Sequence, residues 1–163
     1  MTHSVTCPGC GLVLQSDKTG IDEKFHASLA CLDLYWEVSA YTLSLTDKFF
    51  LHQYIVDAYA ASHVDTHTKP MKIYFSLLGL YLALEKQYTG REVQLAHMQL
   101  GKEKKVWPPY KLPTHYATLT IKDIYETHNA KKATIIYRWM REVWDLWGST
   151  HDEVKEVCAK YLD

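Results

Sequence analysis

The chain lacks any long apolar run and any surplus of one charge. Its longest apolar stretch, Ile73 to Leu84, spans 12 residues and is interrupted by Ser76 and Gly79. A helix that crosses a bilayer needs about 20 such residues, so no membrane partner is expected. Lys and Arg number 18 against 19 Asp and Glu, a net charge of -1. That balance argues against nucleic acid, or an anionic membrane, held by charge. The densest basic segment, Lys102, Lys104 and Lys105, is broken by Glu103 and reads as a solvated loop. Met1 to Thr6 is polar and lacks the apolar core of a signal peptide, so a cytoplasmic protein is expected.

Internal repeats and low-complexity tracts are absent too. What remains is an ordinary apolar fraction of 47% with abundant aromatics, 12 Tyr, 5 Trp and 4 Phe. A chain of 163 residues is expected to form a single domain and to bury roughly 70% of its unfolded surface. It does not need disulfides to fold.

Cysteine is scarce, four in all, but two of the four stand at a telling spacing: Cys7, Pro8, Gly9, Cys10, then Gly11. A C-x2-C-G knuckle bends the backbone so that two thiolates point at one spot, half of a tetrahedral zinc site. In a reducing compartment this spacing favours metal over a disulfide. A thioredoxin-type pair is disfavoured, because no βαβ pattern surrounds it. No second C-x2-C follows. The other ligands must be scattered residues, with Cys31, His26, His52 and Cys158 as candidates. His26 and Cys31 are five apart and share no helix face, so one ligand is expected from their helix and one from elsewhere. His52 suits the second role. Cys158, beside Val154, Val157 and Tyr161, reads as a core thiol.

The expected fold class is all-α, a bundle of five to six helices, with residues 1–20 forming an irregular knuckle segment packed on it. Leu12 to Leu14 suggests a short extended strand. From Asp22 the pattern turns helical, with Phe25, Leu29, Leu32 and Trp36 on one face and Cys31, Leu34 and Val38 on its flank. A second helix is predicted over Lys48 to His63 after a cap at Thr46 or Asp47. A third, Pro70 to Gln87, is apolar nearly all round and should be central, with Gly79 permitting a close crossing. Arg91 to Leu100 suggests a short helix. Trp107, Pro108, Pro109, Tyr110 and Pro113 form a rigid segment that cannot be a helix interior. Thr120 with Asp123 resembles a capping box for a short helix. Ala130 to Trp147 is strongly amphipathic, and Ser149 with Asp152 suggests the cap of a last helix.

Two further constellations carry titratable or aromatic groups. His52, Val56, Tyr59 and His63 form one stripe on the second helix. His52 and His63 are roughly 16 Å apart along the axis and cannot share an ion. A separate polar site of Tyr59, His63 and His151 is therefore possible, with Asp65 and His67 as other partners for His63. No nucleophile accompanies these histidines. Trp139, Trp144 and Trp147, with Tyr137, sit at helical spacing and read as core.

The C-x2-C-G knuckle, Phe25-His26, His52, Asp57, Tyr59 and His63 resemble a family of small bacterial helical proteins that carries only a domain-of-unknown-function label. The resemblance covers most of the chain, although Ser62-His63-Val64 stands where the family often has Gln-His-Pro. It implies a shared fold and a site built from Cys7, Cys10, His26, His52, Tyr59 and His63, and carries no activity. Two functions compete. A zinc-stabilised helical module, binding a small molecule or protein, would hold its metal with four protein ligands. A metal-dependent hydrolase or thiol transferase would hold it with three plus water. Two or more cysteines in the shell favour the first.

Overall fold

The computed structural model describes residues 1–163. The expected bundle is corrected in two respects. There are seven α-helices rather than five or six, and the fold is not purely all-α, because two small antiparallel sheets precede the helices.

The first sheet pairs β1 (His3–Thr6) with β2 (Val13–Ser16), Thr6 opposite Val13, and the knuckle is its turn. The turn closes through hydrogen bonds from the Cys7 amide to the Leu12 carbonyl (2.8 Å) and from the Gly11 amide to the Cys7 carbonyl (2.9 Å). Gly11 has φ +77°, where a side chain is strained, and its α-carbon faces the Tyr116 ring. The second sheet pairs β3 (Ile21–Asp22) with β4 (Ala27–Ser28), in a stretch where the periodicity predicts helix. Asp22 breaks that expectation: its carboxylate accepts the Phe25 amide at 3.0 Å and stabilises a turn.

Helix α1 (Leu29–Ser44) therefore starts later than the pattern suggests, with Ser28 as N-cap accepting the Cys31 amide at 3.1 Å. Its buried face is Cys31, Tyr35, Val38 and Thr42, not the face that ends at Trp36, which is half exposed. The cysteine flank faces inward because Cys31 meets the knuckle there.

Helices α2 (His52–Ser62) and α3 (Pro70–Glu85) pack together at the centre. Ile73, Tyr74, Leu77, Leu78 and Leu80 of α3 are each fully buried, as an all-round apolar helix requires. Gly79 allows the close approach: a methyl group there would collide with the Asp57 carboxylate of α2.

Helices α4 (Gly90–Leu100) and α5 (Ile121–Glu126) both open with capping boxes, Thr89 with Glu92 and Thr120 with Asp123. Between them the proline-rich segment lies on the bundle. Trp107 stacks on Tyr74 at 5.5 Å, and the Tyr74 hydroxyl donates to the Pro108 and Pro109 carbonyls at 3.1 and 3.2 Å.

Helix α6 (Lys132–Leu146) follows a 3-10 turn and buries Ile136, Trp139, Met140 and Val143 on one face. Lys132, itself buried, donates to the carbonyls of Ile124 (2.6 Å), Tyr125 (3.0 Å) and Thr127 (2.6 Å), closing the C-terminal end of α5. Helix α7 (His151–Tyr161) starts after a second 3-10 turn; Thr150 is its N-cap and makes no side-chain cap. The expected Ser149 cap is not formed, because Ser149 lies within the 3-10 turn and the cap position falls to Thr150, whose hydroxyl accepts the Lys111 amide at 3.1 Å instead. No helix is long and apolar enough to cross a membrane.

Candidate metal centre

Three elements converge beside the β1–β2 turn. The knuckle contributes Cys7 and Cys10, the first turn of α1 contributes Cys31, and the residue that ends α2 contributes His63. One ligand atom from each lies within 4.8 Å of all the others, and all four residues are buried. Cys10 Sγ is 3.8 Å from Cys31 Sγ, and Cys31 Sγ is 3.5 Å from His63 Nε2. Bonds of about 2.3 Å to sulfur and about 2.0 Å to nitrogen give tetrahedral edges near 3.8 Å for two sulfurs and about 3.6 Å for sulfur and nitrogen. The two measured edges match these lengths. The cluster could hold a metal ion.

The surroundings prepare the ligands. His63 Nδ1 lies 2.7 Å from the Tyr59 carbonyl, which can only accept, so Nδ1 carries the proton. Nε2 is then a bare lone pair turned to the thiols, the tautomer a metal needs. The Ser28 amide points at Cys7 Sγ at 3.4 Å, and the Tyr59 hydroxyl lies 3.3 Å from Cys31 Sγ. Tyr59 is stacked between Tyr35 (4.1 Å) and His63 (3.8 Å), which fixes the imidazole plane. The Trp147 indole donates to the Ala61 carbonyl at 3.0 Å and secures the end of α2 just before His63. Gly9 is required by space, since a side chain there would strike the His26 carbonyl and the His63 ring.

Without a cation these groups cannot all be ligands at once. Hydrogen bonds from the Cys10 and Cys31 thiols hold Cys7 far below the ordinary thiol range, against the effect of burial. Cys10 is pulled down by Cys31 but pushed up more by its bond to Cys7, by burial and by the Cys7 charge, reaching about 12. Cys31 is driven up strongly by its bonds to Cys10 and Cys7 and by burial. One thiolate shared by three sulfurs is the metal-free compromise. A divalent cation would supply the charge that lets the other two ionise. Burial, and then the neighbouring thiol cluster, raise Tyr59, so it remains a hydroxyl donor.

The residues selected from sequence divide. Cys7, Cys10 and Cys31 meet here. His26 lies outside, its Nδ1 3.4 Å from Asp65 Oδ2, and shares only its backbone carbonyl with the knuckle. His52 pairs with the Thr42 hydroxyl at 2.9 Å, and burial lowers its pKa. Of the separate polar site, Tyr59 and His63 belong to the thiol corner. His151 stacks on Trp144 at 3.7 Å, with Nε2 2.7 Å from the Trp144 carbonyl. Cys158 is a buried thiol, raised by burial. No sequence signal separates His63 from His52; the exit of the backbone from α2 at His63 does.

Fold and site together define a mostly helical protein with a buried Cys3His cluster able to hold a metal ion. The chain belongs to a family of unknown function (DUF5946), whose sequence model matches residues 5–148. No curated protein and no solved structure matches it.

Proposed function

We propose that the protein is a single-domain binding module whose helical body is locked by one structural zinc ion on Cys7, Cys10, Cys31 and His63. The observation that carries this is the convergence of four buried donors within 4.8 Å. Four protein ligands fill a tetrahedron and leave no position for water, the arrangement of structural rather than catalytic zinc. Three thiolates and an imidazole are soft enough to select zinc over magnesium or calcium.

The role follows from connectivity. The ion ties residue 7 to residue 63, a loop of 56 residues. By analogy with a disulfide, closing a loop of that size restricts the unfolded chain by about 4 kcal/mol. It anchors the β1–β2 sheet, which buries few side chains of its own, to the start of α1 and the end of α2. The reading of a metal-dependent enzyme requires an open coordination position, and the donor set disfavours it.

Elemental analysis of the purified protein, with melting curves before and after chelation, tests this. One zinc per chain, with a clear fall in Tm on its removal, supports it. Metal removed without loss of stability would overturn the structural role. No metal under any loading condition would overturn the site.

A further inference from the structure

A cleft of about 690 Å³, lined in part by His26, contains none of the metal-cluster residues. Three segments form it: the turn of the β3–β4 sheet, the loop after α2 and the first turn of α3. Its lining is polar except for Ile21. Lys24, Lys69 and Lys72 converge on it, with His26 and His67 between them. None of these lysines has a carboxylate within 4.0 Å. Glu23 and Asp65 also line the cleft. Asp65 is engaged by its own loop, accepting the His67 amide at 2.8 Å and the Thr68 hydroxyl at 3.2 Å, with its other oxygen facing His26.

The cations sit close together at the mouth of the cleft. Lys72 is half buried, and its ammonium is held by the Lys24 carbonyl at 2.9 Å. Lys24 and Lys72 both lie 5.8 Å from the Phe25 ring centre, so two like charges flank one ring. Burial pulls Lys72 down; the Asp65 charge partly offsets this, and the Lys24 charge opposes Asp65. The first turn of α3 carries no acidic residue to offset them. Three ammoniums against two lining carboxylates leave a net positive cleft that an anion would complement.

We infer that this cleft binds a small ligand through adjacent phosphate groups, held by Lys24, Lys69 and Lys72 with His26 and His67 as further donors. Its volume is within the range of small-molecule sites and far exceeds one phosphate. Its lysine stems supply apolar wall and their ammoniums the charge, which suits a ligand carrying both a phosphate end and a less polar body. Lysine suits phosphate as a point-charge binder. The shared chemistry is a diphosphate, free or carried on a nucleoside. The cleft is built from residues outside the metal cluster and does not depend on what the thiol corner holds.

Calorimetric titration of the metal-loaded full chain with pyrophosphate and, separately, ADP tests the inference. Saturable one-to-one binding is expected, weakened about tenfold by Lys72→Met through loss of one charge-assisted contact. Lys24→Glu and Lys69→Glu, at exposed positions, should weaken it at least as much. Lys104→Met, in a distant loop, should leave it unchanged. If Lys72→Met fails to fold, judged by metal content and Tm, the two exposed reversals decide. ADP binding more tightly than pyrophosphate identifies a nucleotide site, and equal or weaker binding identifies the bare diphosphate. No binding of either at millimolar concentration, or binding untouched by the reversals, overturns the proposal. Repeating the titration after chelation separates failure here from failure of the zinc reading.

Discussion

Helix α2 carries one buried polar cluster at its middle and another at its C-terminal end, and the two meet the demands of burial in opposite ways. At its C-terminal end His63 faces three thiols. At its middle Asp57 faces Gln53, one turn earlier, and, across on α4, His97. The Gln53 amide donates to both Asp57 oxygens at 3.3 Å and also lies 3.4 Å from His97 Nδ1. His97 Nε2 donates to the Phe75 carbonyl at 2.8 Å. That leaves His97 Nδ1 as an acceptor, so the ring is neutral. The 3.9 Å separation of His97 and Asp57 would suit an ion pair. Burial argues otherwise: it raises Asp57 well above the usual carboxylate range and lowers His97. We follow the burial, because the tautomer set by Phe75 and Gln53 agrees with it. The Asp57 cluster answers low polarity by keeping a proton. The thiol corner answers it by offering four donors to a cation. A buried polar group is thus not by itself a sign of a site; what distinguishes the two is whether the group can satisfy itself.

The largest way to break the contrast is to remove a ligand. Cys7→Ser or Cys31→Ser should abolish stoichiometric metal and cost about 3–5 kcal/mol, a fall in Tm of roughly 6–20 °C, read by elemental analysis and calorimetry on the same sample. Retained metal and unchanged Tm in both would remove the distinction. Gly79→Ala attacks the other cluster. Its methyl group displaces the Asp57 carboxylate and should cost about 1–3 kcal/mol by overpacking while metal content stays intact.

A titration sharpens the comparison further. Asp57 has its folded pKa raised above the unfolded value of about 3.9, so the folded state holds the proton longer. Its contribution is fully present below about pH 4 and is lost as pH rises through the folded pKa. Asp57→Asn should flatten that decline, with the variant gaining relative to the parent as pH rises. Denaturation midpoints at a series of pH values read this, and parallel curves would contradict it. The smallest effect is expected at His52. His52→Ala loses one hydrogen bond to Thr42, about 0.5–1.5 kcal/mol, and should leave metal content unchanged. Loss of metal there would redraw the ligand set.

Much of the helical frame was legible. Apolar spacing located α2, α3 and α6 to within a few residues, and two capping-box pairs marked α4 and α5, although only that at Thr120 was recognised. The β3–β4 sheet was not legible, because strands of two residues are too short to show alternation. The inward face of α1 was misread for a related reason. Phe25, Leu29, Leu32 and Trp36 give a clean stripe, but Phe25 lies in the turn before the helix, and Cys31 rather than Trp36 determines the rotation. At the site, spacing identified the knuckle and left the remaining ligands open. His63 and His52 look alike on a helical wheel. Only the end of α2, where the backbone leaves the helix at φ −123° and ψ 67°, turns one of them toward the sulfurs.

The order of the donors along the chain has a consequence for synthesis. Cys7, Cys10, Cys31 and His63 all precede α3, so every ligand leaves the ribosome before the most apolar helix does. An ion taken up then would hold α1 and α2 in their final relation while the chain is still growing. It would present a preformed surface on which Ile73, Leu77 and Leu80 could settle as they emerge. Scarcity of the metal would in that case be felt during translation, as nascent chains with an undocked α3, earlier than as a loss of finished protein.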